Sequence, residues 1–226
     1  MNKMQVKFGG RTGQKDRIFH FIQVLCFLLF LAAFAGCGSG KGKTETRTGY
    51  YFDTVVQLQL CGVEDEAVFE GCFALCEELE RTFSRTREDS ELYAVNHRSA
   101  DTVEVSEELA QLVGEGLSYY SVTDGAFDIT VAPLSELWDF KSGEGRVPSA
   151  EDLGEALTKV DAAKVKLEGR TLTFTSPDTM LELGAIVKGY AADRLKDYLK
   201  KQGVTAGVIN LGGNVLTMGS KPDGTD

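Results

Sequence analysis

The sequence of 226 residues predicts an α+β fold, with mixed helices and sheet in a single domain that has subdomains. Segments with apolar residues at helical spacing lie between short segments rich in β-branched and aromatic residues. The two kinds of segment do not alternate regularly as strand–helix–strand units, which argues against a doubly wound parallel sheet. Hydrophobic residues make up 42% and charged residues 26%, as in an ordinary globular protein.

Each predicted element follows from its local pattern. Ser106 and Ser149 stand where a helix N-cap is expected, and Gly203 stands where a helix ends. A hairpin is expected around Gly169, because two short β-rich segments flank it. The predicted helices cover 63–83, 106–122, 149–157 and 185–202. The predicted strands cover 50–60, 164–167, 171–174, 180–183, 206–210 and 214–218.

The first 36 residues have the pattern of a lipoprotein signal peptide. Basic residues precede an apolar run over 18–34, and small residues lead directly to Cys37. Cys37 is therefore the expected lipid attachment point, on the extracytoplasmic face of the cell membrane. The alternative is an uncleaved membrane anchor, since 17 apolar residues are near the lower limit for a span. Residues 37–48, rich in Gly, Ser and Lys at their start, are expected to form a flexible tether.

The folded part of the chain is strongly acidic. Residues 1–36 hold five of the 24 Lys and Arg and one of the 34 Asp and Glu, which leaves a formal charge of −14 for the rest. Such a balance argues against a nucleic-acid partner. A polyanionic ligand would need a local basic group or a metal ion to offset this field.

Three cysteines remain after Cys37. Cys72 and Cys76 are four residues apart on one face of a predicted helix, and Cys61 precedes that helix. An odd number of cysteines does not indicate a disulfide framework. Metal binding by the pair is one alternative, and burial as apolar thiols is the other, favoured because no further ligand lies at suitable spacing. His97 is expected at the surface.

Four segments are polar or rich in glycine in ways that could serve chemistry. They are FSRTREDSEL at 83–92, GAFDITVAPL at 125–134, LELGAIVKGYAADR at 181–194 and NLGGN at 210–214. In the third, a predicted strand passes through glycine into a helix, whose N-terminus offers free N–H groups and a partial positive charge to phosphate. Lys188 lies in the first turn of that helix. Ordinary turns or solvated loops are the alternative interpretation of each segment.

Taken together and in this order, the four segments resemble the ApbE family, the FAD:protein FMN transferases. The resemblance runs from about Tyr51 to the end of the chain. It implies an ApbE-like fold and a set of residues around FAD, while catalytic residues are not identified. The implied FAD-binding residues are Phe52, Ala126, Phe127, Asp128, Lys188, Gly212 and Gly213. The backbone carbonyl of Ala185 is the implied magnesium ligand.

The resemblance also implies a reaction. FMN would pass from FAD to a Ser or Thr hydroxyl of an acceptor flavoprotein, AMP would leave, and magnesium would be the cofactor. FAD pyrophosphatase activity, or lipid-anchored flavin binding without catalysis, are the alternatives. Thr86 departs from the aromatic residue common in the family. The remaining magnesium ligands are expected beyond Asp226, so we expect the domain over 49–226 to be partial and inactive alone.

Overall fold

The structure is a computed structural model, and it describes residues 43–139, 143 and 145–220. Gly42–Asp226 belongs to one unit. The helices are α1 (Glu66–Phe83), α2 (Glu91–Asn96), α3 (Glu107–Val122), α4 (Ala132–Trp138), α5 (Ala150–Leu157) and α6 (Gly184–Lys201). The strands are β1 (Thr44–Tyr51), β2 (Thr54–Cys61), β3 (Thr102–Glu104), β4 (Val165–Glu168), β5 (Thr171–Phe174), β6 (Gly207–Leu211) and β7 (Asn214–Met218). The predicted α+β class is confirmed.

The larger sheet has the strand order β1-β2-β6-β7, with every pair antiparallel. Alternate side chains of β2 and β6 are buried on one face, which is the pattern of a sheet covered on one side. α1 and α6 supply the apolar faces that cover it, because both carry buried residues at helical spacing. The core therefore lies between this sheet and the two longest helices.

The smaller sheet has the order β3-β5-β4, also antiparallel. The β4–β5 hairpin turns through Gly169, whose φ of +61° is one that glycine adopts without strain. The hairpin predicted from the sequence is thus confirmed. α3 packs beside β4, and a Cβ on Gly114 would lie 3.3 Å from a methyl group of Leu167.

The N-terminal strand region differs from the prediction. One strand was expected over 50–60, whereas two strands form a hairpin whose turn is Phe52-Asp53. Both turn residues have positive φ, 55° and 54°, as a two-residue turn with the right twist requires. Neither is glycine, so the turn signal in the sequence is weak. β1 also begins at Thr44, so residues 44–48 form a strand and not the end of a tether.

The predicted strand over 180–183 is wrong. The side-chain amide of Asn96, which is buried, takes the place of a partner strand: Asn96 Oδ1 accepts from the Leu181 N–H at 2.7 Å, and Nδ2 donates to the Leu181 carbonyl at 2.9 Å. The next N–H, of Glu182, donates to the Ile129 carbonyl. The segment is extended and these backbone groups have hydrogen-bond partners, but the partners are a side chain and a loop and not a strand.

The helix limits follow the caps closely. Ser106 and Ser149 accept hydrogen bonds from the N–H groups of Leu109 and Asp152, as their N-cap positions predict. The sequence analysis missed α2 and α4, which are too short for periodicity to reveal. Neither of them, nor any other helix in the described part of the chain, is long and apolar enough to cross a membrane.

The cysteine pair is buried as predicted. Cys72 and Cys76 are fully enclosed on the core face of α1, and burial raises the pKa of each thiol to about 12. Cys61 is partly exposed at the end of β2. His97 is exposed, and its Nδ1 lies 2.8 Å from the Tyr93 carbonyl. The predicted signal peptide and Cys37 lie outside the described residues.

Candidate functional site

Two clefts flank the first turn of α6. The first has a volume of about 260 Å³ and the second about 610 Å³, and both are lined by Gly184 and Lys188. The first cleft is otherwise lined by Phe52, Asp53, Glu80, Phe83, Ser84, Arg85, Thr86, Glu182 and Val187. The second is otherwise lined by Glu115, Tyr119, Thr123, Phe127, Ala185, Ile186, Gly189 and Asn214. All four segments singled out in the sequence thus contribute residues to the clefts.

The N-terminus of α6 is arranged to receive negative charge. Its N-cap, Leu183, has no side chain that can accept a hydrogen bond, but its carbonyl accepts from the N–H groups of Ile186 at 3.0 Å and Val187 at 2.9 Å. The Gly184 N–H donates to Glu182 Oε1 at 2.9 Å, and the partial positive charge of the helix dipole remains at this end. Lys188 lies one turn further on, where it lines both clefts, and it forms no ion pair with another described residue.

Arg85 joins three segments of the site. Its side chain is only 15% exposed, its Nε lies 2.6 Å from Glu182 Oε2, and its Nη1 lies 3.0 Å from Glu136 Oε1. Glu136 is on α4 and Glu182 directly precedes α6. Sequence reasoning missed all three, because their contacts join residues far apart in the sequence and have no local signal. The available signal was that a basic residue falls in a motif of a very acidic chain.

The β1–β2 turn forms one wall of the first cleft. Its backbone is held by Glu80 of α1, whose Oε1 accepts from the Phe52 N–H at 2.7 Å. Phe52 and Asp53 both line the cleft, and Thr86 lies on it as well. The left-handed conformation of two non-glycine residues costs free energy, and such strain is found where surrounding contacts fix it.

The second cleft offers an aromatic surface. Phe127 packs edge-to-face against Tyr119, with 5.7 Å between the ring centroids. Asn214, from the start of β7, donates to the Lys188 carbonyl at 3.2 Å and so ties the larger sheet to α6. Ala126 is exposed beside Phe127 but does not line the cleft.

Asp128, one of the expected FAD-binding residues, has hydrogen-bond partners within the described part of the chain. Its Oδ1 accepts from the Thr130 N–H at 2.7 Å and from Thr130 Oγ1 at 2.6 Å, and its Oδ2 accepts from the Ala162 N–H at 3.0 Å. Thr130 Oγ1 in turn accepts from the Asp161 N–H at 2.9 Å. The carboxylate therefore joins two loops of the chain.

Gly212 and Gly213 form the turn between β6 and β7, with φ of 60° and 96°. The Gly212 N–H donates to the Val55 carbonyl at 3.1 Å, and a Cβ at Gly212 would lie 2.2 Å from Thr54 Oγ1. Glycine is required here for close packing of two strands. Neither glycine lines either cleft, but Gly213 directly precedes Asn214, which does.

Comparison with known proteins identifies this arrangement. The model of the ApbE family matches residues 52–226, which is most of the chain. The chain belongs to the ApbE family. Its membership agrees with the resemblance carried by the four segments, and the two clefts lie where those segments meet.

Named ApbE relatives support the same assignment. A FAD:protein FMN transferase from Klebsiella pneumoniae is 36% identical over 158 residues, which cover 69% of this chain and 50% of that protein. One from Treponema pallidum is 29% identical over 203 residues, covering 82% of this chain and 56% of that protein. The chain spans about half the length of the curated relatives it matches.

Solved structures of the family have the same fold. The flavin transferase ApbE from Vibrio cholerae matches with a TM-score of 0.76 and 29% identity, over 81% of this chain and 62% of that one. The apo form of Pseudomonas stutzeri flavinyl transferase ApbE matches with a TM-score of 0.73 and 30% identity, over 81% of this chain and 60% of that one.

Ala185 is the only magnesium ligand that the resemblance implies among the described residues. Ala185 is exposed in the first turn of α6, where its carbonyl belongs to the helix and retains a second lone pair. Magnesium requires near-octahedral oxygen ligation. No group of three or more His, Cys, Asp and Glu side chains within residues 43–139, 143 and 145–220 is arranged to hold a metal ion.

Proposed function

We propose that the whole protein transfers FMN from FAD to a Ser or Thr hydroxyl of an acceptor flavoprotein. The observation that carries the proposal is the placement of Lys188 between two clefts at the N-terminus of α6, within motifs of the ApbE family. The clefts provide a cation and the positive end of a helix dipole for phosphates on a strongly acidic domain. A nucleic-acid partner does not fit that acidity.

The residues of the site suit the parts of FAD. Lys188 can form charge-assisted hydrogen bonds with the diphosphate. Phe127 and Tyr119 offer apolar surface in the second cleft, and Phe52 does so in the first. The cleft walls exclude bulk water from one side of the diphosphate, which strengthens its interaction with the ammonium.

In the proposed reaction, the acceptor oxygen forms a bond to the phosphorus nearest riboflavin. The bond from that phosphorus to the bridging anhydride oxygen breaks, AMP leaves with the electron pair, and the hydroxyl proton is released. Catalysis of this kind rests mainly on positioning and on electrostatic stabilisation. We assign Lys188 the role of holding the diphosphate in place during the attack.

We include magnesium in the proposal on the family resemblance, with the Ala185 carbonyl as one ligand. A magnesium ion bound to the diphosphate would offset its charge. Two of the nearby acidic groups are engaged elsewhere: Glu182 with Arg85, and Glu80 with the Phe52 N–H. Further oxygen ligands are therefore needed before the described residues could hold the ion.

The test uses the whole natural protein with FAD, magnesium and a peptide containing a Ser or Thr acceptor. We expect AMP and peptide-bound FMN to appear in equal amounts. Chromatography and mass spectrometry measure both products. A peptide with the acceptor residue changed to Ala is the matched control. Free FMN with AMP would instead identify a pyrophosphatase. FAD that binds and is recovered unchanged would identify a flavin-binding protein without catalysis.

We further propose that the protein is held at the extracytoplasmic face of the cell membrane by lipid on Cys37. The basic residues, the apolar run and the small residues before Cys37 support this. Residues 38–42 consist of glycine, serine and lysine, which suits a short flexible connection to the membrane.

Cys37→Ala is expected to block lipidation and signal cleavage, because the thiol is the attachment point. The variant would then accumulate as the unprocessed form, which is larger by the signal peptide. The measurement is metabolic labelling with a palmitate analogue together with electrophoretic mobility. Cys61→Ala is the control and should be labelled normally. Normal labelling and processing of Cys37→Ala would rule out the anchor.

A further inference from the structure

The first cleft contains more negative than positive side chains. Asp53, Glu80 and Glu182 line it, with Arg85 and Lys188 as the only cations among its lining residues. A diphosphate that enters would meet these carboxylates at close range. Repulsion between such charges is substantial in a partly enclosed site. Binding of an anion there is favoured when groups of the protein, or a metal ion bound with the ligand, offset the charge of these carboxylates.

Glu182 is the carboxylate nearest the N-terminus of α6. It is held on both oxygens: Oε1 accepts from the Gly184 N–H at 2.9 Å, and Oε2 accepts from Arg85 Nε at 2.6 Å. Arg85 is itself fixed from the other side by Glu136 at 3.0 Å. Its guanidinium is mostly buried, so solvent screens the interaction with Glu182 only weakly.

We infer that Arg85 is a positioning residue that determines the charge specificity of the cleft. It holds Glu182 against the helix N-terminus and neutralises it, which allows a diphosphate to approach Lys188. Without Arg85, Glu182 would keep only the Gly184 N–H among these two partners, and more of its negative charge would face the ligand. The inference rests on the proposed function, since it concerns how the same cleft accepts its anionic ligand.

The test is a double-mutant cycle on FAD affinity, measured from the change in flavin fluorescence on titration with the whole protein. Arg85→Gln is expected to weaken FAD binding by roughly tenfold to thirtyfold, because the Glu182 charge is then unopposed. In a Glu182→Gln background, the same substitution is expected to change the affinity by less than about threefold. The side-chain amide oxygen that Glu182→Gln introduces can still accept from the Gly184 N–H.

A merely structural role for Arg85 would give a different result. Arg85→Gln would then weaken FAD binding to the same degree in both backgrounds, and that outcome would overturn the inference. An unchanged FAD affinity in Arg85→Gln would overturn it as well. Arg170→Gln is the matched control, since it removes an ion pair with Glu104 at the smaller sheet. It should leave FAD affinity unchanged.

If the Arg85→Gln protein does not fold, FAD affinity is measured with the Arg85→Lys protein instead. Lysine keeps a positive charge beside Glu182 but loses the fixed geometry of the guanidinium, so FAD affinity should fall by less than about tenfold. A loss above about tenfold in a folded Arg85→Lys protein would overturn the inference. Absence of FAD binding by the unsubstituted protein would instead contradict the proposed function, so the two failures are distinguishable.

Discussion

Asp128→Ala should lower the free energy of unfolding by about 2–4 kcal/mol. The substitution removes three hydrogen bonds to a carboxylate and leaves the N–H of buried Ala162 without its acceptor. Thr130 would also lose the partner that orients its hydroxyl toward Asp161. The loop that carries Phe127 would then separate from the turn at the start of β4. Chemical denaturation monitored by circular dichroism measures the change.

Two further variants sharpen this prediction. Asp128→Asn keeps one oxygen for Thr130 but can turn an amide NH₂ toward the Ala162 N–H, so an intermediate loss is expected. Asp178→Ala, at an exposed aspartate, should have little effect. If Asp128→Ala lost less than about 1 kcal/mol while FAD binding fell sharply, Asp128 would be a ligand-binding residue as the sequence analysis expected.

Lys188→Ala is expected to weaken FAD binding by about 1.5–3 kcal/mol, because it removes a charge-assisted hydrogen bond to the diphosphate. Stability should change by no more than about 0.5 kcal/mol, since the ammonium forms no ion pair with the described residues and alanine favours a helix. The measurement is a titration of flavin fluorescence paired with thermal unfolding in the absence of FAD.

Lys200→Ala provides the control for Lys188. Lys200 is exposed on the same helix, about 18 Å further along at about 1.5 Å per residue. Its loss should leave FAD affinity unchanged. If both substitutions lowered FAD affinity equally, the overall charge of the domain would explain the effect. Lys188 would then make no specific contact with FAD.

Much of the fold could be predicted because its signals are local. Ser106 and Ser149 cap helices where expected, and the β4–β5 hairpin turns at its glycine. Other errors came from weak local signals, as at the Phe52-Asp53 turn, and one arose where the deciding partner is distant in sequence. Leu181 is held by Asn96, 85 residues away, and no local pattern distinguishes that arrangement from a strand.

The candidate site shows the same division. Lys188 and Phe127 could be found from their motifs, and the structure places both on the clefts. The role of Arg85 and Glu182 depends on the contact between them. They are 97 residues apart, and a single sequence does not reveal that contact. Asp128 illustrates the opposite case: its motif is evident, but its oxygens are used within the chain.

The enclosure of Cys72 and Cys76 has a chemical consequence. With a pKa of about 12, each thiol is ionised in roughly one molecule in 100,000 at neutral pH, and thiolate is the form that reacts with oxidants and alkylating agents. The two sulfurs therefore behave as small apolar groups. The pair is therefore protected from oxidation and alkylation while this helix stays packed on the core.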